Sequence, residues 1–283
     1  MNYFDFPLQE WTNTFVNKWL IPTLGPFFGI ISDYISIILT ALTDLLIAIP
    51  PELLTIILAF FAWRVAGIGF AVFTVLGLLF LGSVDLGNEN IWIAGMQTTA
   101  IVLVATLLSI IIGIPVGILS AKSEKLHQIV RPVLDFMQTL PSFVYLIPTI
   151  LLFGIGGVPA VIATFIFATP PAVRLTNLGI RQVPEDVVEA ARAFGSTSWQ
   201  MLSKVQLPMA LPTIMAGVNQ TIMLALSMAV IASMIGAPGL GSIVLAGISR
   251  VDVGMGLVGG LGIVVLAIIL DRLTEGLGQT QKA

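Results

Sequence analysis

Long stretches of this sequence carry no charge at all, and the positions of the few charges that interrupt them limit the fold more than any other feature. Uncharged runs occupy residues 65–84, 90–121, 136–173, 205–249 and 253–270. A helix needs about 20 mostly apolar residues to cross the hydrocarbon of a bilayer. Only 10% of the 283 residues are charged and 57% are hydrophobic, where an ordinary soluble domain carries roughly 25% charge. A soluble globule of this size fills its core before it can hide that much apolar surface, so the chain is expected in a lipid bilayer. The mean hydropathy of +1.04 agrees. A net charge of −3 argues against a basic nucleic-acid binder, and the absence of cysteine excludes disulfide scaffolds, thiolate metal sites and cysteine nucleophiles.

The runs 90–121 and 253–270 hold one crossing each. The run 136–173, with its flanks, holds two. Its middle, Gly154-Ile155-Gly156-Gly157-Val158-Pro159, reads as a turn, which predicts helices near 129–152 and 158–179. The run 205–249 predicts a helix at about 209–235, stopped by Gly236-Ala237-Pro238-Gly239, and then a shorter segment at 240–249. Between 52 and 84, Arg64 divides the apolar residues into two parts. Two short crossings with a turn at Gly67-Ile68-Gly69 are the favoured reading, and one helix is the alternative. The expected fold is all-α, with about seven transmembrane helices over 51–280.

With seven crossings and the N-terminus outside, the inner face carries Arg64, Lys122, Lys125, Arg131, Arg174, Arg181, Arg192, Lys204, Arg272 and Lys282, and only Lys18 and Arg250 fall outside. That is the positive-inside bias, and it places the segment 180–208 and the C-terminus in the cytoplasm. Residues 1–50 differ from the spans. Leu8, Trp11, Phe15 and Trp19 recur at helical spacing, and in 27–49 one face carries Asp33, Ser36, Thr40, Thr43 and Asp44. Such amphipathic helices are expected to lie in the membrane interface, with an extra span as the competing reading.

No catalytic set assembles. The single histidine, His127, lies between Lys125 and Arg131, and no lysine follows a glycine, so there is no Walker A loop. If solute moves by ATP hydrolysis, another subunit must bind the nucleotide. The loop that carries most information runs from Val183 to Pro208 and reads as two short helices. Pro184, Glu185 and Asp186 suit a first helical turn, Gly195 suits a C-terminal stop, and Thr197 and Gln200 have capping-box spacing. Pro208 is expected to start the next membrane helix. Ala190 and Ala191 permit close backbone approach, and Phe194, Trp199, Met201 and Leu202 offer apolar contact area. A helix–Gly–helix elbow of this kind suits docking into a partner's cleft.

Glu189-Ala190-Ala191, then Gly195, then Val205-x-Leu207-Pro208 resembles the EAA loop of bacterial ABC importer permeases, with valine at 205 where isoleucine is common. Over about 52–275 the chain is most similar to the glycine betaine/proline betaine (ProW/OpuAB-like) permease family. The stretches that carry this are Arg131-Pro132-Val133-Leu134-Asp135-Phe136-Met137-Gln138-Thr139-Leu140-Pro141, Phe143-Val144-Tyr145-Leu146, Pro170-Pro171-Ala172-Val173-Arg174-Leu175-Thr176 and Ala216-Gly217-Val218-Asn219-Gln220-Thr221. The resemblance implies a MetI-like type I permease core in the bacterial cytoplasmic membrane. It implies a homodimer of this subunit, two cytoplasmic ATPases that bind ATP and Mg, and an extracytoplasmic binding protein; no cofactor is expected in this chain. It also implies that the loop at 181–208 couples to the ATPase through Glu189, Ala190, Ala191, Gly195, Leu207 and Pro208, with contacts from Phe194, Trp199 and Met201.

Within the spans, Gln138, Thr139, Asn219, Thr221 and Ser227 are pore-lining candidates, since intramembrane polar groups face a bundle interior or a wet cavity. Helix–helix contact is the equal alternative for each. Asp135 is expected to pair with Arg174 or Arg131, and Gly113-x-x-x-Gly117 fits close helix packing. Two other readings compete. A related importer for an amino acid would share the loop. A self-sufficient secondary carrier would need inverted repeats and ionisable coupling groups in the membrane, and would leave the elbow without a role.

Overall fold

The computed structural model describes residues 7–84, 86–87 and 89–279. Residues 1–6 of the N-terminal segment, and Lys282 of the charge count, lie outside the described residues. In chain order the helices are α1 (Leu8–Phe15), α2 (Ile21–Ala48), α3 (Pro51–Ala66), α4 (Ile68–Ser83), α5 (Ile91–Lys122), α6 (Glu124–Thr139), α7 (Leu146–Phe153), α8 (Gly157–Arg181), α9 (Glu185–Ala193), the single turn α10 (Ser198–Gln200), α11 (Leu207–Ile231), α12 (Leu240–Arg250) and α13 (Val253–Gln279). The described chain is all-helical.

At the centre, α8 packs between α5 and α11. Glycine makes these contacts close. A Cβ on Gly113 would sit 2.8 Å from the Ala172 Cβ, and one on Gly117 would sit 2.6 Å from the Thr176 Cβ and 2.8 Å from the Val173 carbonyl oxygen. The small-xxx-small pair read from the sequence therefore seats α5 on α8. Gly217 plays the same part between α11 and α8, where a Cβ would lie 2.9 Å from that of Leu175. Close backbone approach is how helices associate in lipid, where apolar side chains gain nothing from leaving water. Pro170 and Pro171 both lie inside α8 and donate no hydrogen bond. Nearby, the hydroxyls of Thr169 and Ser109 stand 2.6 and 3.3 Å from the Phe165 carbonyl.

Gly67, at φ +84°, separates α3 from α4, and the two helices pack on each other. The reading of two helices at 52–84 matches this. Each has only 16 residues, about 24 Å of helix against a hydrocarbon core of about 30 Å. The predicted single helix at 129–152 is corrected. The chain bends by 106° between Glu124–Thr139 and Ser142–Phe153. Pro141 donates no hydrogen bond and forces Leu140 out of helical geometry, to ψ 133°. Five helices among the described residues are long and apolar enough to cross a membrane, or six if the bent pair counts as one span. The expected count of seven is thus not reached by length and composition.

One of the five is Leu8–Ala48. Its first part is amphipathic, with Leu8, Trp11, Phe15 and Trp19 exposed. Its second part has the length and composition that the competing reading, an extra span, requires. Wide π-helical turns at Val16–Leu20 and Met201–Gln206 each precede a proline, Pro22 and Pro208. A proline removes the N–H that would close an ordinary turn, and a wider turn accommodates the loss.

Candidate functional site

The segment after α8 folds as an elbow. Pro184 precedes the first turn of α9, where Glu185 and Asp186 face the unpaired N–H groups. Gly195 ends α9 in the left-handed region at φ +79°. The Ser196 N–H donates to the Ala191 carbonyl at 3.1 Å and the Gly195 N–H to the Arg192 carbonyl at 2.9 Å, which is the complete Schellman pair. Two residues later the next helix opens on a reciprocal capping box. The Gln200 N–H donates to Thr197 Oγ1 at 3.3 Å, and the Thr197 N–H to Gln200 Oε1 at 2.9 Å. A bend held from both sides in this way is rigid.

The second arm differs from the expectation of a separate short helix. Residues Ser198–Ile235 form one helix of 38 residues, so the arm runs without a break into α11. Pro208 lies in the first turn of α11 and does not divide it from the elbow, because the π-helical turn absorbs its missing donor. Leu202 packs with Ile180, Ala210 and Ile214, fixing the base of the arm to the ends of α8 and α11.

Phe194 is 93% exposed and Trp199 is 71% exposed, so the apex offers two large apolar groups with no cover from this chain. Met201 and Leu202 are a correction: both are buried and offer no accessible contact area. Leu202 turns inward onto Ile180, which its spacing from Trp199 does not signal. Glu189, Ala190 and Pro208 are exposed, and Ala191 and Leu207 are half-buried. Glu189 lines a cavity of about 620 Å³ together with Lys122, Arg181, Glu185, Arg192 and Gln206.

The intramembrane candidates separate into two groups. Thr221 is fully buried and donates back to the Gly217 carbonyl at 2.9 Å. Asn219 binds α13: its amide donates to Asp271 Oδ1 at 2.7 Å and its oxygen accepts from Thr274 at 3.0 Å. Asn219 thus ties α11 to α13, while the Thr221 hydroxyl is satisfied within α11. Ser227 is exposed, and it shares its side of α11 with Ala216, Gln220 and Met223. The positions 216, 220, 223 and 227 form one helical stripe. Gln138 and Thr139 are exposed at the end of α6. Arg174 donates to Gln138 Oε1 and to Asp135 Oδ1, both at 2.5 Å. Of the two partners expected for Asp135, Arg174 is the one in contact. Two turns further along the same face of α8, Arg181 binds Glu124 at 2.9 Å, so two arginines of α8 pin both ends of α6. The Asp271–Asn219–Thr274 cluster was not foreseen.

Residues 113–282, which include the whole elbow, match the family described as "Binding-protein-dependent transport system inner membrane component". Among curated relatives, the glycine betaine/proline betaine transport system permease protein ProW of Escherichia coli (strain K12) is 50% identical over 277 residues, covering 98% of this chain and 77% of that one. The glycine betaine/carnitine transport permease protein GbuB of Listeria monocytogenes serotype 1/2a (strain 10403S) is 49% identical over 281 residues, covering 98% and 97%. Among solved structures, an inward-facing conformation of the MetNI methionine ABC transporter aligns with a TM-score of 0.57 at 26% identity, over 66% of this chain and 92% of that one.

Proposed function

This chain belongs to the family of binding-protein-dependent transport system inner membrane components, and from that premise we propose that it is the permease subunit of an ATP-driven importer for glycine betaine and related quaternary ammonium osmoprotectants. The observation that carries the coupling mechanism is the exposed elbow that is one continuous helix with α11. A partner ATPase that grips Phe194 and Trp199 would move α11 without loss at a joint. Gly195 sets the angle of the lever, Ala190 and Ala191 let the partner's backbone approach, and Glu189, which lines the cavity beside it, orients the first arm. ATP and Mg belong to that partner, and closure of two such ATPases would switch the pore between inward- and outward-facing states.

In this reading the subunit works as a homodimer in the bacterial cytoplasmic membrane, with the elbow and C-terminus in the cytoplasm and a binding protein on the other side. The exposed stripe Ala216, Gln220, Met223 and Ser227 supports the dimer, because polar groups in a span need a wet passage or a protein neighbour. The printed names of the two relatives support the solute class. A zwitterion is neutral overall and needs no charged ring along its path. The test is uptake of labelled glycine betaine in a bacterial strain lacking its own osmoprotectant uptake, with the partner ATPase and binding protein supplied. Proline betaine, carnitine and choline should compete for entry and methionine should not. Competition by the amino acid alone would overturn the assignment.

A further inference from the structure

The polar face of α2 has no part in the elbow or in the stripe on α11. Ser36, Thr40, Thr43 and Asp44 fall at i, i+4, i+7 and i+8, on a single side of the helix. With Gln97 of α5, Val158 of α8 and Pro238 of the turn before α12, that side lines a cavity of about 260 Å³. The fold holds α2 close here because Gly157 has no side chain; a Cβ would sit 2.7 Å from Leu39 Cδ2. The walls are themselves tied together. The Gly156 N–H donates to the Ile235 carbonyl at 3.1 Å, and the Leu240 N–H donates to Thr98 Oγ1 at 2.8 Å, one residue from Gln97. The cavity therefore lies at the end of α8 and α11 away from the elbow, where the two helices' turns meet.

Asp44 makes no ion pair or hydrogen bond with another described residue. Asp44 is exposed, and an ionisable group among membrane helices faces a bundle interior or a wet cavity. Around it stand three hydroxyls and one amide, all able to turn an oxygen toward positive charge. Leu39, Ile101 and Val158 supply apolar wall. A quaternary ammonium group has no N–H to donate. It is held by a negative charge at a distance and by methyl contacts, which is the combination present. We propose that this cavity receives the trimethylammonium head of the solute against Asp44 as it enters from the side away from the elbow; the proposal rests on the importer reading above.

The sequence contains no cysteine, so Thr43→Cys places one thiol in the cavity, and its modification can be read from the mass of this chain. In the assembled transporter in lipid vesicles, choline should slow labelling by a membrane-impermeant maleimide. Its uncharged carbon counterpart, 3,3-dimethylbutanol, should need about fivefold more to protect as well, the reach of one partly exposed charge contact. Adding Asp44→Asn should raise the half-protecting concentration of choline by the same factor. Equal protection by both compounds, protection by neither, or a thiol that never labels would each overturn the proposal. Thr40→Cys is the second reporter if the first variant does not assemble. The assay reads binding without transport. A transporter that shows cation-selective protection yet accumulates no glycine betaine would sink the importer reading instead.

Discussion

Replacing Gly195 with valine acts on the elbow where its backbone is most demanding. The residue sits at φ +79°, and no atom lies within 4 Å of a Cβ built there. Crowding therefore contributes nothing, and the whole cost is conformational. An L-residue in the left-handed region costs roughly 1–2 kcal/mol, and a β-branched one sits at the upper end or beyond. That lowers the population of the bent elbow about 5- to 30-fold relative to states that release the Schellman bonds. Because α8, α11 and the base packing around Leu202 lie outside the bend, the subunit should still insert and assemble. Asparagine tolerates the left-handed region, so Gly195→Asn should behave almost as glycine does, with alanine between the two. The assay is the number of solute molecules accumulated per ATP hydrolysed by the reconstituted transporter. The ratio should fall in the order glycine, asparagine, alanine, valine, with valine about tenfold or more below glycine. A valine variant with an unchanged ratio, or an asparagine variant as impaired as valine, would refute the reasoning.

Other consequences can be checked in the same preparation. Trimming both Phe194 and Trp199 to alanine should weaken ATPase association by about 2 kcal/mol or more, as loss of exposed aromatic anchors does at interfaces, measured by co-purification at graded detergent. Gly117→Leu forces a side chain into the Thr176 Cβ and the Val173 carbonyl, and overpacking of this kind costs typically 1–3 kcal/mol or more; thermal stability of the purified subunit should drop accordingly. Thr197→Ala removes the capping box and should cost about 1 kcal/mol, visible as faster proteolysis at the elbow. Arg174→Ala and Asp135→Asn should each change stability by less than about 1 kcal/mol, since both groups are substantially exposed, and a double-mutant cycle should show that their effects are not additive.

Much of this architecture could be read from local signals. The scarcity of charge located α5, α8, α11 and α13, and Gly67 divided 52–84 because no other residue type takes its conformation cheaply. The elbow was legible in detail: its glycine stop and its Thr197–Gln200 box depend only on residues within a few positions of each other. The bend at Leu140-Pro141 was missed because it falls inside an uncharged run, where apolarity hides a break that the proline itself signals. Pro208 misled in the opposite sense. It reads as a helix start, but the preceding wide turn lets the helix pass through it. Burial of Leu202 against Ile180 and the link from Asn219 to Asp271 depend on partners far away in sequence. No local pattern carries such pairings. The polar side of α2 was visible, but the cavity it lines requires Gln97, Val158 and Pro238 from three other segments.

The most direct measurement compares accumulation of labelled glycine betaine in sealed vesicles containing this subunit alone with vesicles that also hold the ATPase and binding protein. A lever driven by a separate motor predicts uphill accumulation only in the complete assembly and only with ATP inside the reach of the elbow. Concentrative uptake by the subunit alone would contradict it.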